Sequence, residues 1–152
     1  MSDFKNELLA ELNAVRDDLW KALDALGEET EIYPGWRKRE FFAHIAGWEA
    51  MVFDVFRRHL THQDQKDYHY TGQDSANTRF VAVRQSTTTE DARLECEINR
   101  FALQTTLNDI DDYDAVIPFP WGPETVTEFI RGAIAHERGH LADILKLNPA
   151  NG

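Results

Sequence analysis

Apolar residues recur at every third or fourth position through the first part of the chain, and charged residues fill the positions between them. This spacing is typical of an amphipathic helix and predicts one over residues 4–26. The apolar stripe consists of Leu8, Leu12, Val15, Leu19, Ala22 and Leu26. Gly27 suits the C-terminal end of this helix, and Pro34-Gly35 in the segment that follows indicates a turn.

The same spacing returns after the turn and predicts a second helix from about Arg37 to His59. Its inward stripe consists of Phe41, His44, Trp48, Met51 and Val55. The polar segment 60–74 is typical of a loop, and residues 75–85 could form a short helix. A third long helix is predicted after residues 86–89, which offer several N-cap candidates. We expect its inward stripe to open with Leu94, Ile98 and Phe101.

The last helix is predicted to start at Gly122-Pro123-Glu124, with proline at the first helical position and an acid after it. It should run to about Leu147, and Asn148-Pro149 should end it. No segment predicts a strand ladder, although the short apolar run at 115–119 has no clear assignment. Four long helices with one short extra helix predict an all-α four-helix bundle in a single domain, residues 1–152.

Three of the six histidines fall on predicted inward stripes. His136 and His140 are four residues apart, so a helix places them on one face, and His44 lies on the stripe of the second helix. The stripe of the last helix consists of Phe129, Ala133, His136, His140 and Ile144. Neutral imidazoles that share a low-dielectric space favour a divalent cation, and three protein ligands leave a coordination position open. The alternative, that each histidine simply hydrogen-bonds a neighbour in the core, stays open.

The net charge, the apolar runs and the single cysteine exclude several classes of function. The formal net charge is −11, so nucleic acid is not an expected partner. We expect no signal peptide and no membrane span, since no basic segment followed by an apolar run and no apolar run of sufficient length is found, and we expect a cytoplasmic protein. Cys96 is the one cysteine, which excludes an intrachain disulfide. A small buried residue is the expected role for Cys96, rather than a nucleophile.

Two segments resemble the DinB-like superfamily, which includes the YfiT-like metalloenzymes. They are "GWRKREFFAHIAGWE" (35–49) and "FPWGPETVTEFIRGAIAHERGHLADI" (119–144). A third, "DSANTRFVAVRQ" (74–85), is most similar to the ClbS/DfsB branch. The resemblance implies an up-down-down-up four-helix bundle, often a homodimer, in which His44, His136 and His140 hold a divalent metal. Reactions in such families include thiol-dependent transfer and isomerisation, and hydrolysis.

These observations predict a metal-dependent enzyme of hydrolase or thiol-dependent transferase type that acts on a small molecule. Zinc and nickel both accept imidazole and are the expected metals. Glu40, one turn before His44, and Glu137, next to His136, are the candidate catalytic residues, with Glu49 as a further candidate base. The alternatives are a non-catalytic module that binds metal or a small ligand in a stress response, and a bundle that mainly dimerises.

Two further groups of residues have candidate roles at such a site. Trp48, Phe119 and Trp121 could line the mouth of a pocket, although plain packing is the commoner use of aromatic residues. Arg37, Lys38 and Arg39 form the densest basic run. They could hold the carrier of a thiol, or could only balance the acidic surface.

Overall fold

The computed structural model describes residues 2–147 and contains five helices and one β-hairpin in that range. In chain order the elements are α1 (Ser2–Asp24), α2 (Lys38–Leu60), α3 (Gln73–Ala82), α4 (Thr89–Asp109), β1 (Val116–Phe119), β2 (Gly122–Thr125) and α5 (Val126–Leu147). The predicted helix end at Asn148-Pro149 lies outside the described residues. No helix in the described range is long and apolar enough to cross a membrane.

The chain forms two compact units. The terminal unit comprises the chain up to Lys38 and from Val126 onward, and the central unit is Arg39–Thr125. In the terminal unit α1 packs against α5. All six residues of the stripe predicted for α1 are buried, so the period-3.6 pattern located this helix and its packed face correctly.

The Pro34-Gly35 turn is confirmed. The Trp36 N–H donates to the Tyr33 carbonyl at 2.7 Å, and Gly35 has φ +80°. Proline followed by a residue of positive φ is the arrangement of a type II turn, which favours glycine at the second central position. The turn fixes the backbone on either side of it, and with it the position of Tyr33.

In the central unit α4 packs on α2 through a mixture of small, polar and charged side chains. Cys96 is fully buried and lies with Sγ 3.1 Å from the Phe42 carbonyl oxygen. The Arg100 guanidinium donates to Glu49 Oε2 at 2.7 Å, and both side chains are only 10% exposed. The inward face of α4 is therefore partly polar.

This polar inward face explains why the predicted stripe of α4 is wrong. Leu94, Ile98 and Phe101 are 51%, 59% and 76% exposed. The buried residues are Ala92, Cys96, Arg100, Leu103, Thr106 and Leu107. The large apolar residues suggested the wrong face, because Arg100 occupies an inward position where its charge is paired. The start of α4 was predicted correctly, since the Thr88 side chain accepts from the Asp91 N–H as an N-cap.

The short helix α3 lies against α2 at a glycine. A Cβ atom placed on Gly47 would collide with the ring of Phe80. Phe80 also belongs to a buried cluster with Met51 and Ala76, against which the half-buried Trp48 packs. The missing side chain at position 47 therefore lets α3 approach the backbone of α2 closely.

The β-hairpin corrects two predictions, that no strand ladder exists and that the last helix starts at Gly122-Pro123-Glu124. β1 and β2 pair in antiparallel fashion, with Phe119 opposite Gly122 and Pro118 opposite Pro123. Hydrogen-bonded and non-hydrogen-bonded pairs alternate along such a ladder, so two facing prolines fit at a pair that exchanges no hydrogen bonds. Gly122 has φ +134°, which an α-helix does not allow, and α5 begins only at Val126.

Candidate metal centre

Three histidines form a group that could hold a metal ion. One ring nitrogen from each of His44, His136 and His140 lies within 4.8 Å of the others. His44 is buried, with 3% of its surface exposed, whereas His136 is exposed and His140 is half-buried. The structure thus groups the three histidines that the resemblance implied as ligands, but the prediction that all three point into the core is wrong for His136.

The reason is a shift in the buried face of α5. The buried residues are Val126, Ile130, Ile134, Glu137 and Ile144. The predicted stripe started from Phe129, one position before the buried Ile130, so it is rotated by about 100° through most of the helix and meets the buried face only at Ile144. The histidines therefore lie beside the buried face, where His136 remains accessible to solvent.

His136 and His140 lie close together, as their spacing of four predicts. Their Nε2 atoms are 2.9 Å apart, and the ring centroids are 4.4 Å apart with the planes at 86°. If both imidazoles are neutral, a contact at this distance is a hydrogen bond in which one Nε2 carries the hydrogen and the other accepts it. The same two nitrogens can instead point their lone pairs at one cation, so this donor set fits a divalent metal.

The second ring nitrogen of His140 is held by a chain of hydrogen bonds. The Tyr33 hydroxyl donates to Asp143 Oδ2 at 2.7 Å and lies 2.8 Å from His140 Nδ1. A hydroxyl has one proton to donate, so the oxygen of Tyr33 accepts from the His140 Nδ1–H. Burial and the Asp143 carboxylate both raise the pKa of Tyr33, which keeps the phenol protonated. The lone pair of His140 is then on Nε2, the nitrogen that faces His136.

His44 has a polar partner on α3. Its Nδ1 lies 2.9 Å from Asn77 Oδ1, and the same oxygen accepts from the indole N–H of Trp48 at 2.6 Å. Sequence reasoning missed Asn77, Tyr33 and Asp143 as site residues. The partners of Asn77 and Tyr33 are far away along the chain, and no helical spacing connects them. Two local signals were present: the Pro34-Gly35 turn beside Tyr33, and the position of Asp143 three residues after His140 on the same face of α5.

The three candidate carboxylates lie in ion pairs. Glu137 is buried and accepts from Arg16 Nε at 2.6 Å, and Glu49 pairs with Arg100. Glu40 pairs with Arg39 at 2.5 Å, and its side chain is 13% exposed. The catalytic roles predicted for Glu40 and Glu137 stay predictions.

The predicted aromatic residues contact one another in the central unit. Phe119 and Trp121 are stacked, with ring centroids 5.0 Å apart, and Trp48 meets the ring of Trp121 edge-on at 5.9 Å. Tyr70 from the polar loop joins them, 6.0 Å from Trp121. Trp48 also donates to Asn77, so this aromatic cluster is continuous with the hydrogen bonds of His44.

The predicted basic run is engaged in ion pairs. Arg37 pairs with Glu29 at 3.0 Å, and Lys38 approaches Glu28 at 4.0 Å. Arg39, besides its pair with Glu40, donates to the carbonyl of residue 85 at 2.9 Å. These contacts favour charge balance over the binding of a thiol carrier.

Comparison with known proteins gives a likeness to a solved structure. No protein-family model matches the sequence, and no curated protein matches it. The crystal structure of a mutant of the mycothiol-dependent maleylpyruvate isomerase is similar, with a TM-score of 0.75 and 12% sequence identity. The match covers 97% of this chain and 65% of that one, so this chain spans about two thirds of the isomerase.

A likeness at this identity shows the fold alone. The isomerase has the DinB-like helical fold, and the prediction of an all-α bundle of this type is confirmed, with the β1–β2 hairpin as an addition. The likeness concerns the fold only, and the activity of the isomerase is a property of that protein.

Proposed function

We propose that this protein is a divalent-metal-dependent enzyme whose metal ligands are His44, His136 and His140. The observation that carries the proposal is the grouping of one nitrogen from each ring within 4.8 Å. The hydrogen bonds at the Nδ1 atoms of His44 and His140 support it. Histidine ligands of metals commonly donate their second ring N–H to an oxygen acceptor, which fixes the ring for coordination.

A bound divalent metal would supply a water of lowered pKa, or would hold a thiolate. The chain's own residues would orient the ligands. Asn77 holds the ring of His44 and Tyr33 holds that of His140, whereas the exposed His136 keeps the group accessible to small molecules. Hydrolysis and thiol-dependent transfer are therefore the two reaction classes that we propose, with a small-molecule substrate. The structural neighbour is a mycothiol-dependent isomerase, and this favours thiol-dependent transfer over hydrolysis in the proposal.

The proposal extends to the setting of the enzyme. We propose a cytoplasmic homodimer with zinc or nickel at the site. Sedimentation at several protein concentrations tests the oligomeric state, and fractionation of cells tests the location.

Elemental analysis tests the proposed site directly. Untagged protein is purified without added metal or chelator, beside His44→Ala and the matched control His62→Ala, whose imidazole is exposed outside the group. We expect close to one metal per chain in the wild type and in the control, and none in His44→Ala. If the wild type holds no metal, even after zinc, nickel and manganese are offered in turn, the proposal is wrong.

A further inference from the structure

The contact between Trp48 and Asn77 identifies the atoms of the Asn77 amide. An indole N–H can donate a hydrogen bond but cannot accept one. The amide atom 2.6 Å from Trp48 Nε1 must therefore be the carbonyl oxygen Oδ1. The reverse orientation of the amide would place its NH₂ group against another donor.

This assignment also determines the protonation of His44. Oδ1 has no hydrogen, and it lies 2.9 Å from His44 Nδ1. That nitrogen must then carry the hydrogen of the neutral ring, and the lone pair is on Nε2. The two contacts of one amide oxygen thus select a single tautomer, the one with Nε2 ready to bind a metal.

We infer that Asn77 is the positioning residue of the metal centre, which holds His44 in the Nδ1–H tautomer and fixes the ring for coordination through Nε2. The inference rests on the proposed function and adds a residue on α3 to it. The packing of Phe80 against Gly47 holds α3 on α2, and Trp48 holds the amide, so Oδ1 is fixed before any metal arrives. Because the amide is neutral, Asn77 orients the ring without adding negative charge to it.

Two measurements separate this role from a purely structural one. Long-range ¹H–¹⁵N correlation spectra of the metal-free protein report which nitrogen of His44 carries the hydrogen, with His44→Ala identifying the signals. Zinc titration with a competing chelator reports the Kd. The variants are Asn77→Leu, which removes the acceptor at similar size, and Asn77→Asp, which keeps an acceptor. Thr78→Val is the matched control, because Thr78 is exposed and donates to the backbone of its own helix.

We expect the Nδ1–H tautomer of His44 in the wild type and in Thr78→Val, and a mixture of tautomers in Asn77→Leu. The zinc Kd should rise 10- to 100-fold in Asn77→Leu, the usual cost of losing such a partner. Asn77→Asp should bind zinc at least as tightly as the wild type. An equal loss in Asn77→Asp and Asn77→Leu would overturn the inference, because the acceptor would then not be the cause.

The two ways to fail are distinguishable. A wild type that binds no zinc would overturn the proposed function and the inference with it. If the wild type and Asn77→Leu bind zinc with the same Kd, the inference about Asn77 is wrong and the proposed metal site stands. If Asn77→Leu does not fold, the wild-type spectrum still decides, since an Nε2–H tautomer of His44 in the metal-free protein contradicts the assignment without any variant.

Discussion

Arg16 on α1 and Glu137 on α5 form an ion pair in which the two side chains are only 9% and 8% exposed. The guanidinium of Arg16 also lies 4.6 Å over the ring of Trp20. Removal of one member of a buried pair leaves an uncompensated charge in a low-dielectric environment. The pair joins α1 to α5 within the terminal unit, and Glu137 is the residue that follows His136.

The first prediction concerns the free energy of unfolding. Glu137→Leu should lower it by about 3 kcal/mol, because Arg16 would remain buried without its carboxylate. The double variant Arg16→Met with Glu137→Leu should recover most of that loss, since neither charge remains. Urea unfolding of the four proteins in this cycle is the measurement. If the double variant loses the sum of the two single losses, the pair does not act as a unit.

Two neighbouring residues on α4 test the corrected face of this helix. Phe101→Ala should change the free energy of unfolding by no more than about 0.5 kcal/mol, because the ring is already in solvent. Leu103→Ala should cost about 2 to 5 kcal/mol, because Leu103 is only 3% exposed and its removal leaves a cavity. Chemical denaturation measures both. If Phe101→Ala lowers the free energy of unfolding more than Leu103→Ala does, the buried face of α4 is the one predicted from the sequence.

Tyr33→Phe should weaken metal binding while the fold is retained. The variant removes the hydroxyl that accepts from His140 Nδ1 and donates to Asp143. We expect the zinc Kd to rise at least about 10-fold, as for other partners of ligand histidines. Tyr113→Phe is the matched control, because its hydroxyl donates to the Leu107 carbonyl. The control should lose stability and keep its metal affinity, so equal zinc affinity in all three proteins would count against the role of Tyr33.

Metal loading should fall as the pH drops through the imidazole range. Protons compete with the cation for the ring nitrogens of His44, His136 and His140, because a metal binds only the unprotonated nitrogen. Protein equilibrated at pH 7.5, 6 and 5 should hold progressively less metal by elemental analysis. Circular dichroism at each pH checks that the helices persist. A metal content that stays flat down to about pH 5 would contradict the three-histidine site.

Asp54 should stabilise the central unit at neutral pH but not in strong acid. Its burial raises the pKa, but hydrogen bonds from Tyr68, Arg57 and Arg58 and the charge of Arg58 outweigh burial and lower the pKa to about 2. A group with a lowered pKa stabilises the fold above its unfolded value of 3.8, and this contribution disappears as the pH falls towards 2.

The variant Asp54→Asn should therefore lose about 1 kcal/mol at pH 7, a small amount because the carboxylate is partly exposed. The difference from the wild type should be smaller at pH 3. Urea midpoints at the two pH values give the comparison, and the exposed Asp111→Asn should show little difference at either. A loss at pH 3 as large as that at pH 7 would mean that the ionised carboxylate is not what stabilises the fold.

Periodicity alone located the helices well where inward positions are apolar. All six stripe residues of α1 are buried, and the turn after it follows from the restricted φ of proline and the positive φ of Gly35. The pattern failed on α4 because Arg100 and Cys96 occupy inward positions. It also failed at residues 116–125, where Pro123, which suggested a helix start, instead faces Pro118 across a hairpin.

Helical spacing predicts only those parts of the candidate site that lie on the same helix. His136 and His140 follow from their separation of four, whereas the grouping with His44 came from family resemblance. Asn77 and Tyr33 could not be predicted, because their contacts join residues that no local pattern connects. Asp143 lies three residues after His140 on α5, so helical spacing could have indicated it.

Gly47 carries a consequence for how this sequence can change. By itself, alanine suits a helix better than glycine, so position 47 of α2 would gain from the exchange. The obstacle is Phe80, whose ring occupies the space of the new methyl group. Gly47→Ala would push α3 outward and carry Asn77 away from His44. Positions 47 and 80 are therefore expected to vary together during evolution, with a larger residue at one accompanied by a smaller residue at the other.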